Sequence, residues 1–158
     1  MSAQHIFDFA ILGSVVKYSD GTPRPPERHR RKLADWETRN NGGRLIRRQA
    51  ETVVGRTTLP ASITLHKGDY GKGGIIMLRV HQTFSVNTDL KFTVVERPAI
   101  GSVLVLDRPG DEAELVHLAA NRTDAETWLK SHGYPNAVIR EITADEVAAD
   151  AVEGRAAA

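Results

Sequence analysis

The sequence contains no cysteine. This absence excludes disulfide bonds, thiol catalysis and zinc sites built on cysteine. Long hydrophobic runs are also missing: the most apolar early stretch, residues 6–16, is too short to span a bilayer and is interrupted by Asp8. No basic region precedes this stretch and no small-residue cleavage site follows it, so it lacks the pattern of a signal peptide. We therefore expect a cytoplasmic protein that does not contact a membrane.

The net charge is close to zero, but the charged residues are unevenly distributed. The formal net charge of the chain is +1. Residues 24–48 carry nine basic and three acidic residues, a difference of +6, whereas residues 107–158 carry five basic and eleven acidic residues, a difference of −6. Such asymmetry indicates either an electrostatic partner outside the chain or a pairing of the two regions with each other.

The length and composition are those of one ordinary globular domain. The chain has 158 residues, of which 41% are hydrophobic and 26% are charged, which is enough for a core without a metal or a disulfide. We predict a single domain over residues 1–154 and a frayed tail over residues 155–158. The predicted class is α+β: a mainly antiparallel sheet of roughly six to eight strands, one basic N-terminal helix and a C-terminal β-α-β-α ending.

Apolar patterns and chain breakers place the individual elements. Residues 5–18 are apolar on both faces and predict a central strand. Pro26 opens a predicted basic helix that runs to Arg39 and is closed by the Asn-Asn-Gly-Gly sequence of residues 40–43. Strand-like runs follow at residues 44–54, 61–67, 75–86, 90–95, 101–106 and 113–119.

The C-terminal part carries two helix-start signals. Two Thr-x-x-Glu pairs have the spacing of capping boxes: Thr123 with Glu126, and Thr143 with Glu146. They predict one helix over residues 124–132 that is closed by Gly133, and a second helix that ends near Gly154. A strand is predicted between the two helices.

The basic segment, residues 24–48, is the strongest functional candidate. Cations at the start of a helix oppose the macrodipole, at a cost of about 0.3–1 kcal/mol each, so their placement here indicates an external anion or an internal acidic partner. The alternative is a solvated face, in which Arg31 pairs with Glu27 and Asp35 at four-residue spacing. Leu33 and Trp36 form an apolar wedge that the helix is expected to bury. The candidate nucleic-acid-binding residues are Arg28, Arg30, Arg31, Lys32, Arg39, Arg44, Arg47 and Arg48.

A second candidate lies on one face of a predicted hairpin. The glycine-rich residues 66–74 lack a Walker pattern and precede a strand, so they predict a hairpin loop. Ile76, Leu78 and Val80 are expected on the buried face, with Ser62 paired to Arg79 or His81. The opposite face then gathers a possible site for RNA or a protein: His66, Arg79 and His81.

The sequence gives little support for a metal site, a cofactor or catalysis. The six histidines show neither an HxH nor an HExxH spacing, so we predict no metal site. No GxSxG elbow is present, and we expect no cofactor. An enzyme that uses His66, Arg79 and His81 is the least favoured of three hypotheses.

The sequence favours a small non-enzymatic binding protein. In the first hypothesis, it contacts nucleic acid, or a protein that handles nucleic acid, through the basic segment. In the second, it is a protein-interaction or inhibitor module that docks through its sheet face and acidic C-terminal helices. The sequence does not indicate whether the protein forms oligomers.

Overall fold

The computed structural model describes residues 1–156, which form an α+β fold. The predicted class is thereby confirmed, although ten strands form where about six to eight were expected. The elements are α1 (Ala3–Phe9), β1 (Val15–Ser19), α2 (Arg30–Arg39), β2 (Asn41–Gln49), β3 (Thr52–Val54), β4 (Thr57–Leu59), β5 (Ser62–Lys72), β6 (Ile75–Ser85), β7 (Lys91–Glu96), β8 (Val103–Leu106), β9 (Leu115–Ala119), α3 (Arg122–Lys130), β10 (Val138–Glu141) and α4 (Ala144–Ala156).

Two antiparallel sheets contribute to one main core. The five-stranded sheet has the order β6-β5-β2-β1-β7, the three-stranded sheet has the order β10-β8-β9, and β3 pairs with β4 in a separate hairpin. The main cluster of buried side chains joins Leu45, Leu65 and Phe92 of the larger sheet to Leu104 of the smaller one. These four side chains are fully buried, so this contact fixes the framework on which the candidate sites stand.

The predicted strand over residues 5–18 is correct only from Val15 onwards. Ala3–Phe9 form a helix, and the strand begins only at Val15. The Ser2 side chain caps this helix by accepting a hydrogen bond from the backbone N–H of His5 at 3.2 Å. Ala3 and Ile6 then lie buried on one helix face. A short apolar run fits either a strand or a helix, and burial of this face decides the outcome.

The basic helix forms and ends at Arg39 as predicted, but it starts later than predicted, and the glycines expected to close it lie elsewhere. It begins at Arg30 and ends at Arg39. The two glycines that follow do not close it: they lie in β2, where a Cβ atom on Gly42 would come within 2.8 Å of the Val16 carbonyl oxygen and one on Gly43 within 2.6 Å of the His66 carbonyl oxygen. These glycines therefore allow three strands to approach closely.

Strands β5 and β6 continue beyond the rest of their sheet as a hairpin arm, residues 68–80. β5 pairs with β2 only as far as His66, whereas its pairing with β6 continues to Lys72. The arm therefore projects past the start of β2, which is the end of the sheet that carries α2. Gly73 and Gly74 adopt φ values of +64° and +80° at its tip, as a tight hairpin loop requires.

The predicted hairpin register and burial are corrected on this arm. Ser62 pairs with Ser85, not with Arg79 or His81. Ile76 and Leu78 are 49% and 57% exposed, although they were expected in the core. Only the part of β6 nearer to Phe84 lies over the main core, so hydrophobic residues farther out on the arm stay uncovered.

The β-α-β-α ending is confirmed by β9, α3, β10 and α4, and one of its two predicted caps is correct. Thr143 and Glu146 form the expected capping box, with reciprocal backbone contacts of 3.1 and 3.4 Å. In α3 the cap is Asn121, which accepts from the backbone N–H of Asp124 at 2.9 Å, and Gly133 does not adopt a positive φ. Helix α4 reaches Ala156, and residues 157–158 of the predicted tail lie outside the described residues.

Candidate nucleic-acid interface and sheet-face cavity

Helix α2 lies in the segment that connects β1 to β2, residues 20–40, which we call the excursion. Asp20 holds the two ends of this segment together, at a point that we call the neck. This carboxylate accepts hydrogen bonds from the backbone and side chain of Thr22 and from Asn40, and pairs with Arg39 at 3.0 Å. These hydrogen bonds, from Thr22 above all, hold the pKa of Asp20 well below its usual range. Both ends of the excursion are thereby tied to one ionised group.

The body of α2 packs only lightly. None of its residues is buried, and the expected wedge of Leu33 and Trp36 is only half-buried. The indole N–H of Trp36 donates to the carbonyl of Thr22 at 2.9 Å, which holds the helix against its own entry loop. The helix is therefore an exposed appendage on the sheet.

The four basic residues at the start of α2 face solvent: Arg28, Arg30, Arg31 and Lys32. We call them the cationic cluster. Over residues 1–156, none of the four forms an ion pair, because Glu27 pairs with Arg24 at 3.8 Å and the expected Arg31–Asp35 pair is not made. Arg28 has a neighbouring contact, from Nε to His29 Nε2 at 3.2 Å. The predicted salt-bridged face is thus not formed.

The start of α2 also lacks a side-chain cap. His29 occupies the N-cap position without a capping hydrogen bond, and the first turn contains no acidic residue. The free amides and the helix dipole add to the positive potential of the cationic cluster. This helix end therefore favours a negatively charged group.

The other four predicted nucleic-acid-binding residues serve the fold. Arg39 pairs with Asp20 and, at 3.4 Å, with Asp89. Each of the remaining three donates to a backbone carbonyl: Arg44 to Gly13, Arg47 to Glu112 and Arg48 to Phe7. Burial, together with the nearby guanidinium of Arg140, lowers the pKa of Arg48. The eight predicted residues are therefore divided between four exposed cations and four arginines that make contacts within the fold.

Acidic residues of the C-terminal region have partners other than α2. Asp150 pairs with Arg97 at 2.7 Å, Glu126 with Arg122 at 3.0 Å, Asp107 with Arg108 at 2.6 Å, and Glu146 with Arg140. In the part of the chain that the structure describes, none of these acidic groups pairs with the cationic cluster. The two regions therefore meet through Arg47 and Arg48 of β2, which lie near Glu112 and Asp111, and not through the cationic cluster.

The fold brings the residues of the second predicted site, on the face of the β5–β6 hairpin, close together. His66 and His81 are directly paired across β5 and β6, with ring centroids 5.6 Å apart. Asp69 joins them, since its Oδ1 lies 2.7 Å from His66 Nε2 and 3.4 Å from Arg79 Nε. One carboxylate thus contacts an imidazole and a guanidinium on the same sheet face.

This cluster lines an open cavity of about 270 Å³ between the two sheets. The larger sheet contributes the predicted residues together with Arg44 and Ile46, and β9 and the residue before it contribute Glu114 to Leu118. His117 stacks on Trp128 of α3, with ring centroids 4.7 Å apart. Burial and the neighbouring His132 lower the pKa of His117, which favours its neutral form.

Sequence reasoning missed several residues of this cavity. Asp69 differs from His66 by an odd number of positions, so strict alternation places the two on opposite faces. A register shift between His66 and Gly68 turns Asp69 onto the face of His66. The glycine at position 68 was the available signal for a bulge. The contribution of β9 depends on tertiary packing and left no local signal.

Two further classes of feature are absent over residues 1–156. No group of three or more metal-binding side chains has the arrangement needed to hold a metal ion there. No helix in the same range is long and apolar enough to cross a membrane.

Comparison with known proteins identifies a family. No curated protein and no solved structure matches the chain. The family model described as "Uncharacterised conserved protein UCP036055" matches residues 1–146, which include both candidate sites and every element except most of α4. The chain therefore belongs to this family.

Proposed function

We propose that this is a small, cytoplasmic, non-enzymatic protein that binds nucleic acid through the cationic cluster of α2. The observation that carries the proposal is the exposure of Arg28, Arg30, Arg31 and Lys32 without an ion pair in the described residues. These four cations lie within five consecutive positions and face water, so they repel one another. A phosphate backbone supplies the regularly spaced negative charge that would offset this repulsion.

The position of the cluster on the helix supports a polyanion. Helix stability alone favours acidic residues in the first turn, yet this turn contains none. Phosphate groups are commonly bound where free helix amides and cationic side chains coincide. The four scaffold arginines described above are not part of the proposed interface, which reduces the expected phosphate contacts to three or four.

The cluster provides no means of reading a particular base sequence. Contacts to phosphate position a protein but carry no sequence information directly. We therefore expect similar affinity for unrelated duplexes of equal length, and binding that weakens as salt is added.

A charge-matched pair of variants tests the proposal. Fluorescence anisotropy with labelled DNA and RNA at low salt would compare the wild type with Arg31→Ala/Lys32→Ala and with Arg56→Ala/Lys91→Ala. Both double variants change the net charge from +1 to −1, and all four side chains are exposed. We expect the α2 variant to lose at least about tenfold in affinity, or about 1.4 kcal/mol, and the control to lose much less. Equal losses, or no binding by the wild type, would contradict the proposal.

A protein partner is the second candidate, and the hairpin arm is the observation that favours it. Tyr70, Ile75 and Met77 are 61%, 71% and 79% exposed. A cluster of exposed hydrophobic residues is typical of an interaction surface. In this alternative, Met77→Ser would abolish capture of a host protein, whereas the α2 double variant would retain it.

A further inference from the structure

The cavity between the two sheets has the size and lining of a small-ligand site. Its volume of about 270 Å³ lies just below the range of about 300–1,000 Å³ that is common for drug-sized ligands. One part of its wall is apolar and includes Ile46, Leu115 and Leu118. Polar side chains converge on the remaining wall. An apolar wall with a few convergent polar groups is the usual composition of a binding pocket.

The formal charges around the cavity cancel when the histidines are neutral. Arg44 and Arg79 contribute two positive charges, and Asp69 and Glu114 contribute two negative charges. Arg44 is already engaged with the carbonyl of Gly13. The lining of the cavity is therefore formally neutral, so a ligand must be recognised by directional hydrogen bonds and not by a net charge.

Several hydrogen-bonding groups at this wall have no partner among the described residues. Among the described residues, the Nη groups of Arg79 and the ring nitrogens of His81 and His117 make no hydrogen bond, although all three residues line the cavity. Arg79 is held only through Nε, at 3.4 Å from Asp69, and its side chain is 38% exposed. A planar guanidinium with free Nη groups matches the geometry of a carboxylate or a phosphate.

Asp69 orders Arg79, together with His66, before any ligand arrives. It contacts His66 at 2.7 Å and Arg79 through Nε, so one carboxylate restrains an imidazole and a guanidinium on adjacent strands. Such support from a neighbouring residue lowers the entropic cost of forming new hydrogen bonds. These groups are not buried, so they remain accessible to a ligand in the open cavity.

We propose that this cavity binds the oxyanion group of a small organic molecule, either a phosphate ester or a carboxylate. Arg79 and His81 donate hydrogen bonds to the oxyanion, and Ile46 and Leu118 contact the apolar part of the molecule. His117 also lines the cavity. The proposal concerns a site separate from α2 and does not depend on nucleic-acid binding.

Titration of the isotope-labelled full chain with defined probes tests this site. Phenyl phosphate and benzoate carry the two forms of oxyanion on the same ring, and benzamide is a neutral control of similar shape. We expect saturable amide shifts confined to β5, β6 and β9, with a Kd of about 1 mM or tighter for at least one anion. The tighter of the two anions identifies the source class, phosphate ester or carboxylate.

Variants then decide whether the named residues bind the anion. Arg79→Gln and His81→Ala should each weaken binding by at least about fivefold, or about 1 kcal/mol. Arg56→Gln, an exposed arginine on the separate hairpin, should leave it unchanged. Should Arg79→Gln perturb the fold, His81→Ala still carries the test because His81 is exposed. The proposal is overturned if neither anion gives saturable shifts, if benzamide binds equally well, or if both variants bind as the wild type does.

Discussion

Two groups of basic side chains within residues 24–48 have the same chemistry and different surroundings. The cationic cluster precedes and begins α2, is exposed and has no acidic partner in the described residues. Arg44, Arg47 and Arg48 lie on β2, are half-buried, and each donates to a backbone carbonyl elsewhere in the fold. The strand group therefore makes contacts within the fold, whereas the helix group faces solvent.

The difference between the two groups shows that basic residues close together in the sequence need not act together. A guanidinium that satisfies a backbone carbonyl replaces a hydrogen bond that water would otherwise make. A cation that faces solvent makes no such hydrogen bond, so it contributes little to the stability of the fold unless a partner outside the chain binds it. Substitutions in the two groups should therefore change different measured quantities.

The largest contrast is expected between the hydrophobic neighbours of the two groups. Leu45 on β2 is fully buried in the core, so Leu45→Ala should reduce the free energy of unfolding by about 2–5 kcal/mol. Leu33 on α2 is only half-buried, and Leu33→Ala should cost clearly less. Urea denaturation measures both. Equal costs would show that α2 belongs to the cooperative core.

The next contrast is between one arginine of each group. Arg48→Met keeps an apolar stem but leaves the Phe7 carbonyl without its donor, which should cost about 1–3 kcal/mol. Arg31→Met should stay within about 0.5 kcal/mol of the wild type, because Arg31 is exposed. Matched chemical denaturation curves provide the measurement. A larger cost at Arg31 would reverse the assigned roles.

A smaller contrast separates the capped helix α3 from the uncapped helix α2. Asn121→Ala removes a capping hydrogen bond and should cost about 0.5–2 kcal/mol. His29→Ala removes no such bond and should be close to neutral. Thr123→Ala should also have little effect, since Thr123 is not the cap. Melting temperatures of the three variants give the order, and a dominant effect of Thr123→Ala would restore the original cap prediction.

The smallest effect on overall stability is expected at the neck of α2. The pKa of Asp20 is lowered in the folded protein, so its stabilising effect is complete above the usual carboxyl pKa of about 3.9 and is lost as the pH falls through the lower folded value. Hydrogen exchange in α2 should therefore show no weakening of the neck between neutral pH and mildly acidic pH. Asp20→Asn should accelerate exchange in α2 at neutral pH. Unchanged exchange in this variant would mean that the neck does not hold the helix.

The sequence predicted those elements whose signals are local. The capping box of Thr143 and Glu146 requires only two side chains at a fixed spacing, and it forms as predicted. The β-α-β-α ending follows from such caps and from short apolar runs. In contrast, the first apolar run became a helix because Ala3 and Ile6 are buried by distant residues, which no local pattern reports.

The candidate sites, too, could be predicted only where a local sequence pattern indicates them. Strand parity predicted that His66 and His81 share one face of the hairpin, and the structure pairs them directly, in a register that differs from the predicted one. The exposure of Ile76 and Leu78 could not be predicted. Alternation along a strand shows which face a residue occupies, but not how far other parts of the protein pack against that face. Likewise, the carbonyls that engage Arg44 and Arg48 come from segments far away in sequence.

The salt dependence of nucleic-acid binding tests the central claim most directly. Binding to duplex DNA releases counterions, with a slope of log K against log salt of roughly −0.9 per phosphate contact, so three or four contacts from the cationic cluster predict about −3 to −4. Arg31→Ala/Lys32→Ala should flatten the slope by about two while the melting temperature stays unchanged. Arg47→Ala should lower the melting temperature and leave the slope as it was. A slope that is unchanged in the α2 variant, or a wild type that fails to bind at low salt, would contradict the account.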